Sequence, residues 1–346
     1  MEARDLATPA SAPFPSFAEH PRLGISACLL GDAVRYNGGH ARDVVLTETF
    51  APYFDWVPVC PEVEVGMGAP RETVHLEATE GARSPRLVAP KSGTDWTDRM
   101  RAYSEARVAA LRAQGLHGYI LKKDSPSCGM ERVRVHFPAA EHAVKRTGRG
   151  LFAEALLRAW PQLPVEEEGR LRNLALRENF VERVYCYQRW TRFLETRPRP
   201  GDLVEFHKAH RYALRAHSPR RAKALGQLVA HAGVGDFDGL LRAYGDGFMA
   251  CLREPATVKR HADVLYHLLG YVKGYLGPEQ KREVVDLVED FRLGRVPLVV
   301  PLALLKHHLR EHPDPWVAAQ IYLDPYPAEL RLRSHLLEPR SDHLGG

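Results

Sequence analysis

The sequence has little cysteine and no long apolar run. Five cysteines in 346 residues are too few for a disulfide framework, and an odd count leaves at least one thiol unpaired. Thiols in such a chain serve as ligands, nucleophiles or packing groups, and a reducing, cytoplasmic setting is expected. No stretch approaches the roughly 18 apolar residues of a membrane span. Neither an internal repeat nor a Cys-x-x-Cys pair is present. The opening MEARDLATPASAPFPSFAEH carries acids and prolines without an apolar centre, which excludes a signal peptide. It is expected to be a disordered leader over residues 1–20, with a flexible tail over 337–346. Nor does charge of one sign dominate. The net charge is +5, and residues 168–346 carry 28 Lys+Arg against 22 Asp+Glu. That mild surplus permits an acidic partner without demanding one.

What is present falls into two halves. RLGISACLL, YFDWVPVC and HGYILKK are strand candidates. RDVVLTETFAPYF and TDWTDRMRAYSEARVAALRAQG between them are helix-like, the second ending at Gly115. Strand alternating with helix predicts a Rossmann-like parallel sheet over residues 21–167. PQLPVEEEGRL is the expected linker. The pattern over 168–336 is helical throughout, which predicts an all-α domain. Leu203, Phe206, His207, His210, Leu214 and His217 share one helix face, as do Val258, Ala262, Leu265, Leu269, Val272 and Leu276. Ser218-Pro219 supplies an N-cap and a first-turn proline.

Cys28, Cys60 and Cys128 each follow a predicted strand. In a parallel sheet the carboxyl ends of the strands share one edge, and the loops leaving it form the binding crevice. The three thiols are separated by 32 and 68 residues, yet that topology lets them meet. Cys60 is followed by Pro61, and Cys128 lies between Pro126 and Gly129, so turn chemistry fixes both. Three readings stay open: unrelated buried thiols, a redox pair with a spare, or a metal site with three thiolates and one open position. Thiolates suit zinc or an iron–sulfur cluster.

GISACLLGDAVRYNGGH, VCPEVEVGMGAPRETVHL and LKKDSPSCGMERV resemble, in order, the three hallmark blocks of the TudS family of thiouracil desulfidases. EFHKAHRYALRAHSP, KRHADVLYHLLGYVKGYL, GRVPLVVPLALLKHHL and QIYLDPYP resemble the YbgA-like domain. The fused arrangement is similar to the RudS-type tRNA 4-thiouridine desulfidases. The resemblance implies a 4Fe-4S cluster held by Cys28, Cys60 and Cys128, with one iron open to a thiocarbonyl sulfur. In the third block the family often has serine where Lys123 stands.

The expected activity is non-redox hydrolysis of thiolated uracil, with 4-thiouridine in tRNA as substrate and sulfide released. Alternatives are a desulfidase of free thiouracil, and a non-enzymatic, cluster-bearing RNA-binding stress sensor. Glu62, two residues after a ligand, is the candidate base, and Ser125 orients the water or the base. Each also has a structural reading, Glu62 as a carboxylate that caps a backbone turn or pairs with a nearby Arg, and Ser125 as a turn hydroxyl. Glu64 is a candidate to exchange roles with Glu62. Arg35, Tyr36 and His40 are candidates to line the pocket, Asn37-Gly38-Gly39 reads as a turn, and Lys122 either touches substrate or ends a strand. Lys208, Arg211, Arg215, Arg220, Arg221 and Lys223 form a basic flank suited to RNA phosphates or simply to solvent. His207, His210 and His217 read as core histidines, Cys186 and Cys251 as packing residues. His307 and His308 of KHHL (306–309) do not read as a metal pair, because adjacent helical residues point apart.

Overall fold

The computed structural model describes residues 17, 19–79, 84–138 and 143–337. The leader up to residue 16 and the tail from 338 lie outside the described residues. Phe17, at the end of the expected leader, packs edge-on against Tyr185 with ring centroids 5.6 Å apart.

Four parallel strands form the first sheet, in the order β2-β1-β5-β8: β1 (Arg22–Ser26), β2 (Asp55–Val59), β5 (Gly118–Leu121) and β8 (Val165–Glu167). All three strands expected from the sequence are present and parallel. β5 is buried along its whole length, which explains its unbroken apolar spelling. At Gly118 an added Cβ would lie 2.8 Å from both Leu23 and Val184, so the close packing there requires glycine.

The second sheet, β4-β3-β6-β7, was not foreseen. It comprises β3 (His75–Glu77), β4 (Arg86–Val88), β6 (Val133–Phe137) and β7 (Ala143–Gly148). One of its faces packs Leu76, Leu87, Val133 and Val135 against Met100 and Leu151.

The helices are α1 (Pro61–Glu64), α2 (Thr97–Ala113), α3 (Leu151–Ala159), α4 (Leu174–Glu195), α5 (Pro200–His217) and α6 (Pro219–Val229). They continue with α7 (Phe237–Arg253), α8 (Val258–Val272), α9 (Pro278–Arg292), α10 (Val299–Glu311) and α11 (Pro315–Ala318). The segment RDVVLTETFAPYF does not form an α-helix. It winds as a π-helical turn over Val45–Phe50 and a 3₁₀ turn over Ala51–Tyr53. The apolar faces read for α5 and α8 are buried, His207 only partly.

The expected linker PQLPVEEEGRL is not a linker. It contains β8, and Glu166, Glu167 and Glu168 are all buried. Arg170 pairs with Glu166 at 2.6 Å, the Met130 amide donates to Glu167 at 2.6 Å, and Lys122 pairs with Glu168. The grammar changes near residue 168 without a break in packing. Phe180, Val181 and Val184 of α4 lie in one core with Leu23, Ile25 and Ile120 of the sheet. Charges are buried along the same helix. Glu178 accepts from Tyr326 Oη at 2.8 Å and Arg333 Nε at 3.3 Å, and His217 Nε2 lies 3.3 Å from Glu182.

Candidate active site

Three turns deliver the three thiols to one place. Cys28 sits in the 3₁₀ turn that follows β1 directly. Cys60 ends β2 as the N-cap of α1. Cys128 lies in the loop after β5, buried to 5% exposure. Because β2, β1 and β5 are adjacent and parallel, all three turns leave the same edge of the sheet. They line one cavity of about 560 Å³. Its wall is the polar face of the second sheet, with His75, Arg134 and His136.

The Cys128 turn is held tightly. Ser125 Oγ accepts from the amides of Ser127 at 3.2 Å and Cys128 at 3.0 Å, and the Gly129 amide donates to Ser125 O at 2.8 Å. A Cβ on Gly129 would lie 2.3 Å from Val133 Cγ2, and one on Gly150 would lie 2.4 Å from the Ser127 carbonyl. The glycines are there because two backbones and a strand converge on the thiol.

Glu62 and Ser125 meet as the sequence reading required. Ser125 Oγ donates to Glu62 Oε1 at 3.3 Å. The structural readings hold as well: Ser125 caps its own turn, and Glu62 Oε2 pairs with the buried guanidinium of Arg71. Arg71 also donates to the carbonyls of Val34 at 2.8 Å and Gly68 at 2.9 Å, tying the Cys28 loop to the Cys60 segment. Sequence reasoning missed this residue, and only its place inside the second hallmark block could have flagged it.

Glu64 does not share the role of Glu62. Its oxygens accept from the Cys60 amide at 3.2 Å and Tyr103 Oη at 2.8 Å and pair with Arg107 at 2.9 Å, away from the cavity. Arg35 and Tyr36 line the cavity, whereas His40 does not and accepts from the Arg42 amide at 3.2 Å. Asn37-Gly38-Gly39 forms the expected turn, closed by Arg35–Gly39 backbone bonding. Lys122 follows β5 and lines the cavity: its amide donates to Ser26 Oγ at 2.9 Å, and its ammonium pairs with Glu168.

Burial disfavours the thiolate at each cysteine. It pushes Cys28 up to about 11, with the Lys122 charge opposing, and raises Cys60 and, furthest, Cys128, where the Glu62 charge adds to it. One buried thiol, Cys128, and two half-buried ones, Cys28 and Cys60, make a donor set whose ionisation a bound cation would favour. The residues therefore fit a thiolate-bound metal group. Among the described residues, potential ligand atoms of His307, His308 and Glu311 lie within 4.8 Å of one another.

The His307–His308–Glu311 group is an ion-pair cluster despite its closeness. Glu311 draws both rings together, at 3.5 and 3.4 Å. A ligating imidazole normally donates its second N–H to an acceptor, and the buried Nε2 of His308 has none among the described residues. The other histidines are core residues as read: His207 Nδ1 meets Tyr244 Oη at 3.1 Å and His210 Nδ1 meets Phe206 O at 2.8 Å. Cys186 and Cys251 are fully buried in the helical packing.

The basic flank is largely committed within the chain. Lys208 pairs with Glu205 at 2.7 Å, Arg215 with Asp263 at 3.0 Å and Arg221 with Glu254 at 2.6 Å, while Arg211 stacks over Trp316. Arg220 and Lys223 are exposed at the start of α6.

A parallel sheet with a thiol-lined crevice at its carboxyl edge defines an α/β protein built to bind at that edge. Residues 23–168 match the 2-thiouracil desulfurase family, and residues 211–327 match DUF1722, a family of unknown function. The second half is similar to the uncharacterized protein YbgA of Escherichia coli (strain K12), 28% identical over 134 residues, 38% of this chain and 79% of YbgA. The first half is similar to the uncharacterized protein YbbK of Bacillus subtilis (strain 168), 28% identical over 147 residues, 42% of this chain and 95% of YbbK. A solved structure of the 4Fe-4S-dependent thiouracil desulfidase TudS is 31% identical, covering 45% of this chain and 96% of its own, with a TM-score of 0.36. Among the described residues no helix is long and apolar enough to cross a membrane.

Proposed function

We propose that the protein removes sulfur from thiolated uracil at a 4Fe-4S cluster held by Cys28, Cys60 and Cys128, with 4-thiouridine in tRNA as the substrate. The observation that carries this is the delivery of three thiols from three adjacent strands into one cavity beside the Glu62–Ser125 pair. Bound there, the cluster would supply Lewis acidity toward a thiocarbonyl sulfur.

The chain's own residues do the rest. Ser125 fixes one oxygen of Glu62 and Arg71 the other, so the carboxylate is aimed and cannot swing away. Glu62 takes the proton of the attacking water and returns it to the leaving sulfur. Water adds at the ring carbon as the carbon–sulfur bond breaks, giving uracil and hydrogen sulfide with no net electron transfer. The proposed division of labour places catalysis in residues 21–167 and tRNA binding in residues 168–336.

Anaerobic purification, a visible absorption spectrum and sulfide release from thiolated tRNA test the proposal together. A protein that stays colourless after reconstitution with iron and sulfide overturns the cluster. A coloured protein inert toward every thiolated substrate supports the stress-sensor alternative. The internal pairing of Lys208, Arg215 and Arg221 favours a second reading, with free thiouracil as substrate. Turnover of free thiouracil together with no salt-sensitive tRNA binding selects it.

A further inference from the structure

The charge of the chain is concentrated where the sequence reading did not look. Residues 122–149 hold seven Lys+Arg against three Asp+Glu, and the described ones among them include part of the cavity lining and strands β6 and β7. Partners across a ladder share a face. Arg134 on β6 opposes Arg146 on β7, and Val133 and Val135 point the other way into the core. Arg134 therefore faces the cavity, with Arg146 beside it, and Arg132 stands exposed at the strand's start.

Arg132 and Arg134 pair with no carboxylate among the described residues, and Arg146 has only the half-exposed Asp124, at 3.1 Å. Arg132 also holds a left-handed backbone (φ 56°), a conformation unusual for a residue with a Cβ. On the same face, His75 and His136 stack with centroids 4.3 Å apart and planes 17° from parallel, both lining the cavity. Flat rings beside unpaired guanidinium groups are what an unstacked nucleotide meets in proteins that bind single strands.

We propose that this face of the second sheet is the docking surface for the polynucleotide that carries the thiolated base. Arg132, Arg134 and Arg146 take the phosphates flanking it, and the His75–His136 pair supports the neighbouring ring. The inference rests on the reading of a polynucleotide substrate and relocates its main contact from the helical flank to the cavity rim. The physical reason is distance: a phosphate adjoining the reacting base is tethered within a nucleotide of the thiols, so cations at the rim act on the nucleotide that must be extruded.

The test is filter binding of tRNA containing 4-thiouridine to the full chain across a salt series. Replacing Arg132, Arg134 and Arg146 by glutamine is expected to weaken binding more than tenfold. It should also flatten the slope of log affinity against log salt by about 2, since each phosphate contact contributes roughly 0.7–0.9. The corresponding Arg→Lys triple variant is expected to restore the slope, which separates charge from packing, and a melting curve of each variant reports folding. If the glutamine variant keeps the wild-type slope while K208Q/R220Q/K223Q loses it, the proposal is overturned and the polynucleotide reading stands. If the wild-type chain shows no salt-sensitive tRNA binding, the polynucleotide reading itself fails and takes the proposal with it.

Discussion

Cys28, Cys60 and Cys128 differ from Cys186 and Cys251 in what surrounds the sulfur. The first three stand at strand ends and open on a cavity, and the last two are packed between helices. Cys28→Ala, Cys60→Ala and Cys128→Ala are therefore each expected to abolish visible absorption and sulfide release while far-ultraviolet dichroism stays native. Cys186→Ala should keep the absorption. Glu62→Gln is expected to lower turnover by about 10²–10⁴-fold, the range of a general acid–base group, with the absorption spectrum intact. Ser125→Ala removes the hydroxyl that joins Glu62 to the Cys128 turn, so it should lower both turnover and metal content. At this scale the sequence was eloquent about the cysteines, because turn residues flank them. It was silent about Arg71, whose partners Val34, Gly68 and Glu62 converge only after folding. Glu64 follows Glu62 by two residues, and that half-turn of helix sends it to Tyr103 and Arg107 instead.

Elements were legible in proportion to their length and regularity. β1, β2, β5 and α2 are spelled by apolar runs and by a helical pattern ending at Gly115, whose φ of 67° favours glycine. The second sheet escaped because β3 and β4 have three residues each, too short for alternation to register, and β7 is polar and exposed at its edge. β8 escaped because three consecutive glutamates read as solvated, whereas each finds a cation or an amide. Gly150→Ala is the sharpest test at this scale. The start of α3 lies against the Ser127 carbonyl, and the new methyl must push the Cys128 turn away. A loss of about 1–3 kcal/mol in denaturant unfolding is expected, with metal content reduced in parallel.

Across the whole molecule, the two halves share a core through α4, and buried charge governs how that core responds to acid. Burial holds His210 and His261 down at about 3, well below the usual 6.5, so both are neutral in the folded chain. The unfolded chain binds more protons than the folded one below the ordinary histidine value, so stability falls with acid. Each ring contributes a loss of roughly 1.4 kcal/mol per pH unit from about 6.5 downward. His217 acts in the opposite sense. Glu182 raises it against burial, and its contribution is complete below 6.5 and lost as pH rises through the folded value. Glu182 itself is pulled down to about 2 by that partnership against burial, so its contribution is complete above the ordinary carboxylate value and is lost as pH falls from there toward about 2. Urea midpoints at pH 7, 6 and 5 are expected to fall progressively once His210 and His261 begin to dominate. Arg333→Ala leaves Glu178 buried without its guanidinium and is expected to cost about 3–5 kcal/mol. Calorimetric unfolding measures it.

The three thiols also fix a sequence of events. Cys60 and Cys128 follow β2 and β5, which do not pair with each other and are held in order by β1 between them. Until both pairings have formed, the sulfurs are separated by flexible loops with a closure cost still to be met. Loading of the proposed cofactor is thus a late step that waits on a finished sheet. A chain stalled in translation or refolding before β5 joins offers two ligands at most, and iron delivered at that stage has no stable home.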